Sequence, residues 1–121
     1  MDKDNRLTKA ELKVMNVLWK NGDIPAKDII KILGNEIDWK RTTTYTIISK
    51  CIEKNAIERI EPGFICHALI TREQAREYET TELINQMYDG AADSLIVSIL
   101  GKKSLTSEEI ERLKKIVSDL E

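Results

Sequence analysis

Hydrophobic positions recur along this chain with two different periods. Leu12, Met15, Leu18 and Trp19 lie at helical spacing behind Thr8 and Glu11, a pair suited to a capping box. The spacing predicts a first helix over about residues 8–21, stopped at Asn21-Gly22. Asp23-Ile24-Pro25 reads as a short extended link. Ile29, Ile30 and Leu33 then share one face of a short second helix over residues 26–33, with Gly34 as its end and residues 35–39 as a linker. A third helix runs from Lys40 to about Asn55, with Thr44, Ile47, Ile48 and Cys51 on one side and Ile52 at its edge. After that the period shortens to two. Residues 57–61 and 64–70 are β-rich runs around Pro62-Gly63, a pair suited to the centre of a type II turn, so a hairpin is expected.

Three helices followed by a hairpin is the element order of a winged helix-turn-helix, with helices two and three as the helix-turn-helix and the hairpin as a small wing. Three more helices follow. Thr71 with Gln74 offers a second capping box and opens a helix through about Tyr88, broken at Asp89-Gly90. Residues 92–100 form the most apolar run, ended by Gly101-Lys102-Lys103, and Thr106 with Glu109 caps a last helix carrying Ile110, Leu113, Ile116, Val117 and Leu120 along one side. Three such helices cannot bury their apolar faces on one another alone. A second copy of the chain is the simplest partner, and folding back onto the first domain is the alternative. The fold class expected is therefore mainly α with a small β-hairpin. A winged-helix domain over residues 1–71 is followed by a three-helix dimerisation segment over residues 72–121.

The polar side of the third helix changes the picture. It carries Thr42, Thr46 and Ser49, flanked by Thr43, Tyr45 and Lys50, where a solvated face would be rich in Glu and Lys. Four threonines in the five positions 42–46 cost helix propensity. Short hydroxyl side chains behind Lys40-Arg41 suit phosphate oxygens and base edges in a major groove. Arg41, Thr43, Tyr45 and Thr46 are the candidates for base contact, with Thr42 beside them, and Lys40, Lys50 and Arg59 for phosphates. The same pattern also fits an internal helix of a small α domain with chance threonine enrichment.

Charge and chemistry narrow the function further. The net charge is −2, but residues 1–71 hold twelve Lys/Arg against ten Asp/Glu and residues 72–121 seven against eleven, so only the front is basic. Cys51 and Cys66 show no CxC or CxxC spacing, and buried free thiols are expected, with no metal and no cofactor. His67 is the only histidine, and as Cys66 points to the opposite face of a strand, the two are badly placed to share a metal. A single histidine and no glycine-rich phosphate loop argue against an enzyme. Trp19 is expected in the core and Trp39 packed at the linker. The chain has no apolar leader and no membrane-span-length apolar run, so a cytoplasmic protein without membrane insertion is expected.

Over nearly its full length the chain resembles the penicillinase-repressor family of bacterial regulators, which includes β-lactamase, methicillin-resistance and copper-responsive repressors. Three blocks carry the resemblance: Glu11 to Trp19 (ELKVMNVLW), Thr42 to Thr46 with Ile47, Ile48 and Lys54, and Leu105 to Leu113 (LTSEEIERL) with Tyr88-Asp89-Gly90 and Ser94 to Val97 upstream. The resemblance implies a homodimer that binds a TACA…TGTA dyad in double-stranded operator DNA and represses transcription. Dimerisation would use Leu83, Ile84, Met87, Leu95, Ile96, Ile99, Ile110, Leu113, Ile116 and Val117. In the signalling branch a membrane-bound sensor metalloprotease leads to cleavage of the repressor at an Asn-Phe bond, and Ser98-Ile99 stand at that place here. Asn55 replaces a common glycine, Cys66 a common aromatic, and the chain ends in SDLE without the paired CxC motifs of copper sensors. A β-lactam-resistance operon is the expected target. A same-family repressor of an unrelated operon, such as metal homeostasis, and a winged-helix protein-interaction module are the alternatives.

Overall fold

The computed structural model describes residues 6–102 and 105–120. Lys103, part of the stop expected after the fifth helix, lies outside the described residues, as do residues 1–5 and Glu121. The elements are α1 (Lys9–Asn21), β1 (Ile24–Pro25), α2 (Ala26–Ile37), α3 (Arg41–Glu53), β2 (Ile57–Ile60), β3 (Ile65–Ala68), α4 (Arg72–Met87), α5 (Ala92–Lys102) and α6 (Ser107–Asp119). They fall into two compact units, Met1–Glu79 and Thr80–Glu121.

In the first unit α1 opens on the expected capping box. Thr8 N–H donates to Glu11 Oε1 at 2.9 Å and Glu11 N–H to Thr8 Oγ1 at 3.1 Å. The core takes Val14, Met15 and Leu18 from α1, Ile29 and Leu33 from α2, Ile48 and Cys51 from α3, and Ile57 and Cys66 from the sheet. Thr44 is also fully buried, and its hydroxyl is satisfied by donating back to the Lys40 carbonyl. Helix α1 is tied to the end of α3 by charge as well as packing. Glu11 is 2% exposed and accepts from Lys54 Nζ at 2.7 Å, while the same ammonium reaches the Arg6 carbonyl at 2.7 Å. Burial pushes the Glu11 carboxyl up, but the bonds from Lys54 and Thr8 outweigh it and hold the group below its ordinary range.

Three local expectations are corrected. The link at residues 23–25 is a strand: Ile24 pairs with Cys66 and Pro25 with Ile65, giving an antiparallel sheet of order β1-β3-β2 in place of a lone hairpin. Pro25 has no N–H to give and sits on the sheet edge, where none is needed. Gly34 does not end α2. The helix continues to Ile37 and closes at Asp38, which takes the left-handed conformation (φ 61°). Gly34 lies instead where the Trp39 carbonyl passes 3.6 Å from the place of a Cβ. The hairpin loop spans four residues, 61–64, between the paired Ile60 and Ile65. Gly63 has the positive φ that the third position of a type II turn requires, and Phe64 follows it at φ 49°. Asn55 adopts the left-handed conformation (φ 63°), which asparagine tolerates better than most residues.

In the second unit Asp89 and Gly90, both at positive φ, separate α4 from α5. Helix α5 runs through Gly101 to Lys102, within the expected Gly101-Lys102-Lys103 stop, since one glycine weakens a helix without breaking it. Helix α6 opens on the expected box, with Thr106 and Glu109 exchanging bonds of 2.9 and 3.0 Å. Among the described residues none in 72–120 is buried. Among the described residues no helix is long and apolar enough to cross a membrane.

Candidate nucleic-acid interface

Helix α3 is held by its apolar side, so its opposite side is fixed in space and faces outward. Thr44, Ile48 and Cys51 are fully buried, whereas Lys40, Arg41, Thr42, Thr43, Thr46, Ser49 and Lys50 are exposed. The sequence-derived candidates on α3 are thus brought onto one rigid face. Lys40 is the residue flanking the helix start, with no side-chain cap and no acid in the first turn, so the free N–H groups there lie beside two cations. The Thr46 hydroxyl donates to the Thr42 carbonyl at 2.9 Å, leaving its oxygen lone pairs outward as acceptors.

Tyr45 is half-buried and serves partly as a wall. Its ring packs 5.9 Å from that of Phe64, and the Arg41 guanidinium stands 5.5 Å from its centroid. Arg59 continues this run from the hairpin, with its guanidinium 3.7 Å from the Phe64 centroid and its Nε bonded to Glu61. Arg59 is therefore ion-paired rather than bare. Phe64 was not singled out by sequence reasoning, because one aromatic after a turn carries no periodic signal.

The other singled-out residues take structural positions. Trp19 donates its indole N–H to the Ile70 carbonyl at 2.9 Å, and Trp39 packs against the core. Both cysteines are buried free thiols, and burial pushes Cys51 up to about 12 and Cys66 to about 11. His67 faces away from Cys66 and meets Asp23 at 2.9 Å. Among the described residues no group of three or more His, Cys, Asp or Glu could hold a metal ion.

In the second unit the proposed dimerisation residues are not gathered under any cover. Leu83, Met87, Ile96, Ile99, Ile110, Leu113, Ile116 and Val117 are exposed, and Ile84 and Leu95 half-buried. Ser98 and Ile99 both lie inside α5.

The chain is 29% identical over 121 residues to a penicillinase repressor of Bacillus licheniformis, covering 98% of this chain and 94% of the relative. It is 28% identical over 119 residues to the methicillin resistance regulatory protein MecI of Mammaliicoccus sciuri, covering 97% of each. The solution structure of the DNA-binding domain of the repressor BlaI superposes with a TM-score of 0.55 at 30% identity, over 61% of this chain and 93% of that one. The Bacillus licheniformis BlaI monomeric form in complex with the blaP half-operator gives 0.51 at 29% identity, with the same coverage. The fold of the front of the chain is thus the BlaI winged helix, and with the penicillinase repressor model matching residues 7–119, the chain belongs to that family.

Proposed function

We propose that this chain is a homodimeric transcriptional repressor that inserts α3 into the major groove at each half of a dyad operator of TACA…TGTA type. The observation that carries the reading is the outward face of α3. Arg41, Thr43 and Thr46, with Thr42 and Tyr45 beside them, stand where base edges would be met, and Lys40 and Lys50 flank them toward the phosphates. A BlaI structurally similar to this chain was solved in complex with a half-operator, which supports operator binding by a fold of this kind.

Dimerisation through α4–α6 is supported by the apolar side chains they expose, an area of a kind that soluble monomers rarely leave to water. Joining two weakly binding halves raises the effective concentration of the second at its site, so a dimer would bind tightly where a monomer would not. A β-lactam-resistance operon is the favoured target, by kinship with the repressors of penicillinase and methicillin resistance. Release would come through a membrane sensor metalloprotease and a cut in the second unit. The Ser98-Ile99 bond lies in a helix, so cleavage there requires α5 to open first.

The test is a titration of the full chain against a labelled TACA…TGTA duplex and a scrambled one at two salt concentrations. Tight binding to the palindrome, weakening by about 0.9 log units per log unit of salt for each phosphate contact, is expected. Equal and weak binding to both duplexes would overturn the operator assignment.

A further inference from the structure

The hairpin offers DNA a poor charge. Residues 57–68 contain one Arg or Lys, Arg59, against two carboxylates, Glu58 and Glu61. The register sorts these by face: Arg59 stands opposite the buried Cys66, on the side turned to the core, and Glu58 opposite His67 on the other side. Arg59 lies over Phe64, Phe64 meets Tyr45, and Tyr45 carries Arg41, so one continuous run of rings joins a cation on the hairpin to a cation on α3. Glu61 closes the hairpin end of the run. Its Oε2 accepts from Arg59 Nε, and its Oε1 accepts from the Phe64 N–H at 3.2 Å. The bond from Arg59 and that from the Phe64 backbone hold the Glu61 carboxyl below its ordinary range, so it is charged at neutral pH.

We propose that Glu61 is a built-in competitor for phosphate at Arg59, and that Phe64 positions that arginine beside the α3 face. The proposal rests on the operator-binding reading above. A carboxylate and a phosphate oxygen seek the same guanidinium edge. While Glu61 occupies it, the Arg59 charge is cancelled, and the hairpin adds little to the counterion release that drives binding. The pair is surface-exposed and therefore weak, so it sets affinity by a small factor and does not lock the hairpin.

The experiment compares wild type, Glu61→Gln, Glu58→Gln, Arg59→Ala and the Arg59→Ala/Glu61→Gln double variant, as full chains, on the TACA…TGTA duplex across a salt series. Glutamine still offers an oxygen to the Phe64 N–H, so the loop is kept. Expected for Glu61→Gln is a gain of about two- to fivefold per half-site. Its salt slope should steepen by about 0.9 per half-site, the change for one added phosphate contact. Glu58→Gln removes the same charge from the opposite face and should give much less. In the Arg59→Ala background the Glu61→Gln gain should disappear. Equal gains from Glu61→Gln and Glu58→Gln, or a gain that survives loss of Arg59, would overturn the proposal and leave general charge repulsion. Wild type without salt-sensitive operator binding would instead remove the reading beneath it.

Discussion

Helices α1 and α6 each span 13 residues, and each opens on a Thr/Glu capping box with both reciprocal bonds made. Helix α1 buries Val14, Met15 and Leu18 completely or nearly so, whereas α6 leaves Ile110, Leu113, Ile116 and Val117 exposed. The two helices have equally good local instructions. What separates them is company: α1 packs on α2, α3 and the sheet, and α6 carries an apolar stripe with no buried position. Local sequence chooses the helix, and a surface elsewhere decides whether its apolar side is a core or an interface.

The largest expected effect tests that interface. Leu113→Asp, in α6, should convert the proposed dimer to monomers by light scattering. Operator affinity should then drop by about 10²- to 10⁴-fold as the linked second half is lost. A dimer that survives this change would place the contact elsewhere. On the other side of the comparison, Ile48→Ala removes a fully buried side chain from the α3 packing. It should cost about 2–5 kcal/mol of first-unit stability in urea titrations while leaving self-association intact. Loss of both together would mean the units do not fold independently.

Substitutions on the exposed face of α3 should do neither. Arg41→Ala and Thr46→Ala are each expected to lower operator affinity by about 1–3 kcal/mol per half-site, with melting temperature and oligomeric state unchanged. Unaltered sequence preference in both variants would remove α3 from recognition. The smallest effect concerns Glu11. Glu11→Gln should cost about 1 kcal/mol through the weakened bond to Lys54. The sign with pH follows from the depressed folded-state pKa: the carboxylate's contribution is present above its ordinary value of 4.5 and is lost as pH falls through the lower folded value. Acidification should therefore lower the urea midpoint of wild type more steeply than that of the variant.

The parts of this fold that were legible in the sequence are those set by near neighbours. The capping boxes at Thr8, Thr71 and Thr106 and the buried side of α3 all follow from residues within a turn or two of one another. The third strand was not legible, because Ile24-Pro25 is recognisable only once Ile65 and Cys66 arrive from 40 residues away. Gly34 was misread for a different reason: one glycine weakens a helix without breaking it, and α2 closes instead at the left-handed Asp38. The α3 candidates Arg41, Thr42, Thr43 and Thr46 could be chosen from type and spacing, whereas the tie between Arg59 and Glu61 depends on where Phe64 places its ring.

Trp19 and Trp39 both belong to the first unit and both are half-buried, while residues 80–121 contain no tryptophan. The indole of Trp19 is held by the Ile70 carbonyl and lies 5.5 Å from the Arg72 guanidinium, so its surroundings change when the first unit opens. The consequence is optical. Tryptophan emission follows the first unit alone, and far-UV ellipticity follows every helix. One denaturation series read at both wavelengths will show whether the two units melt together or in turn, with no label attached.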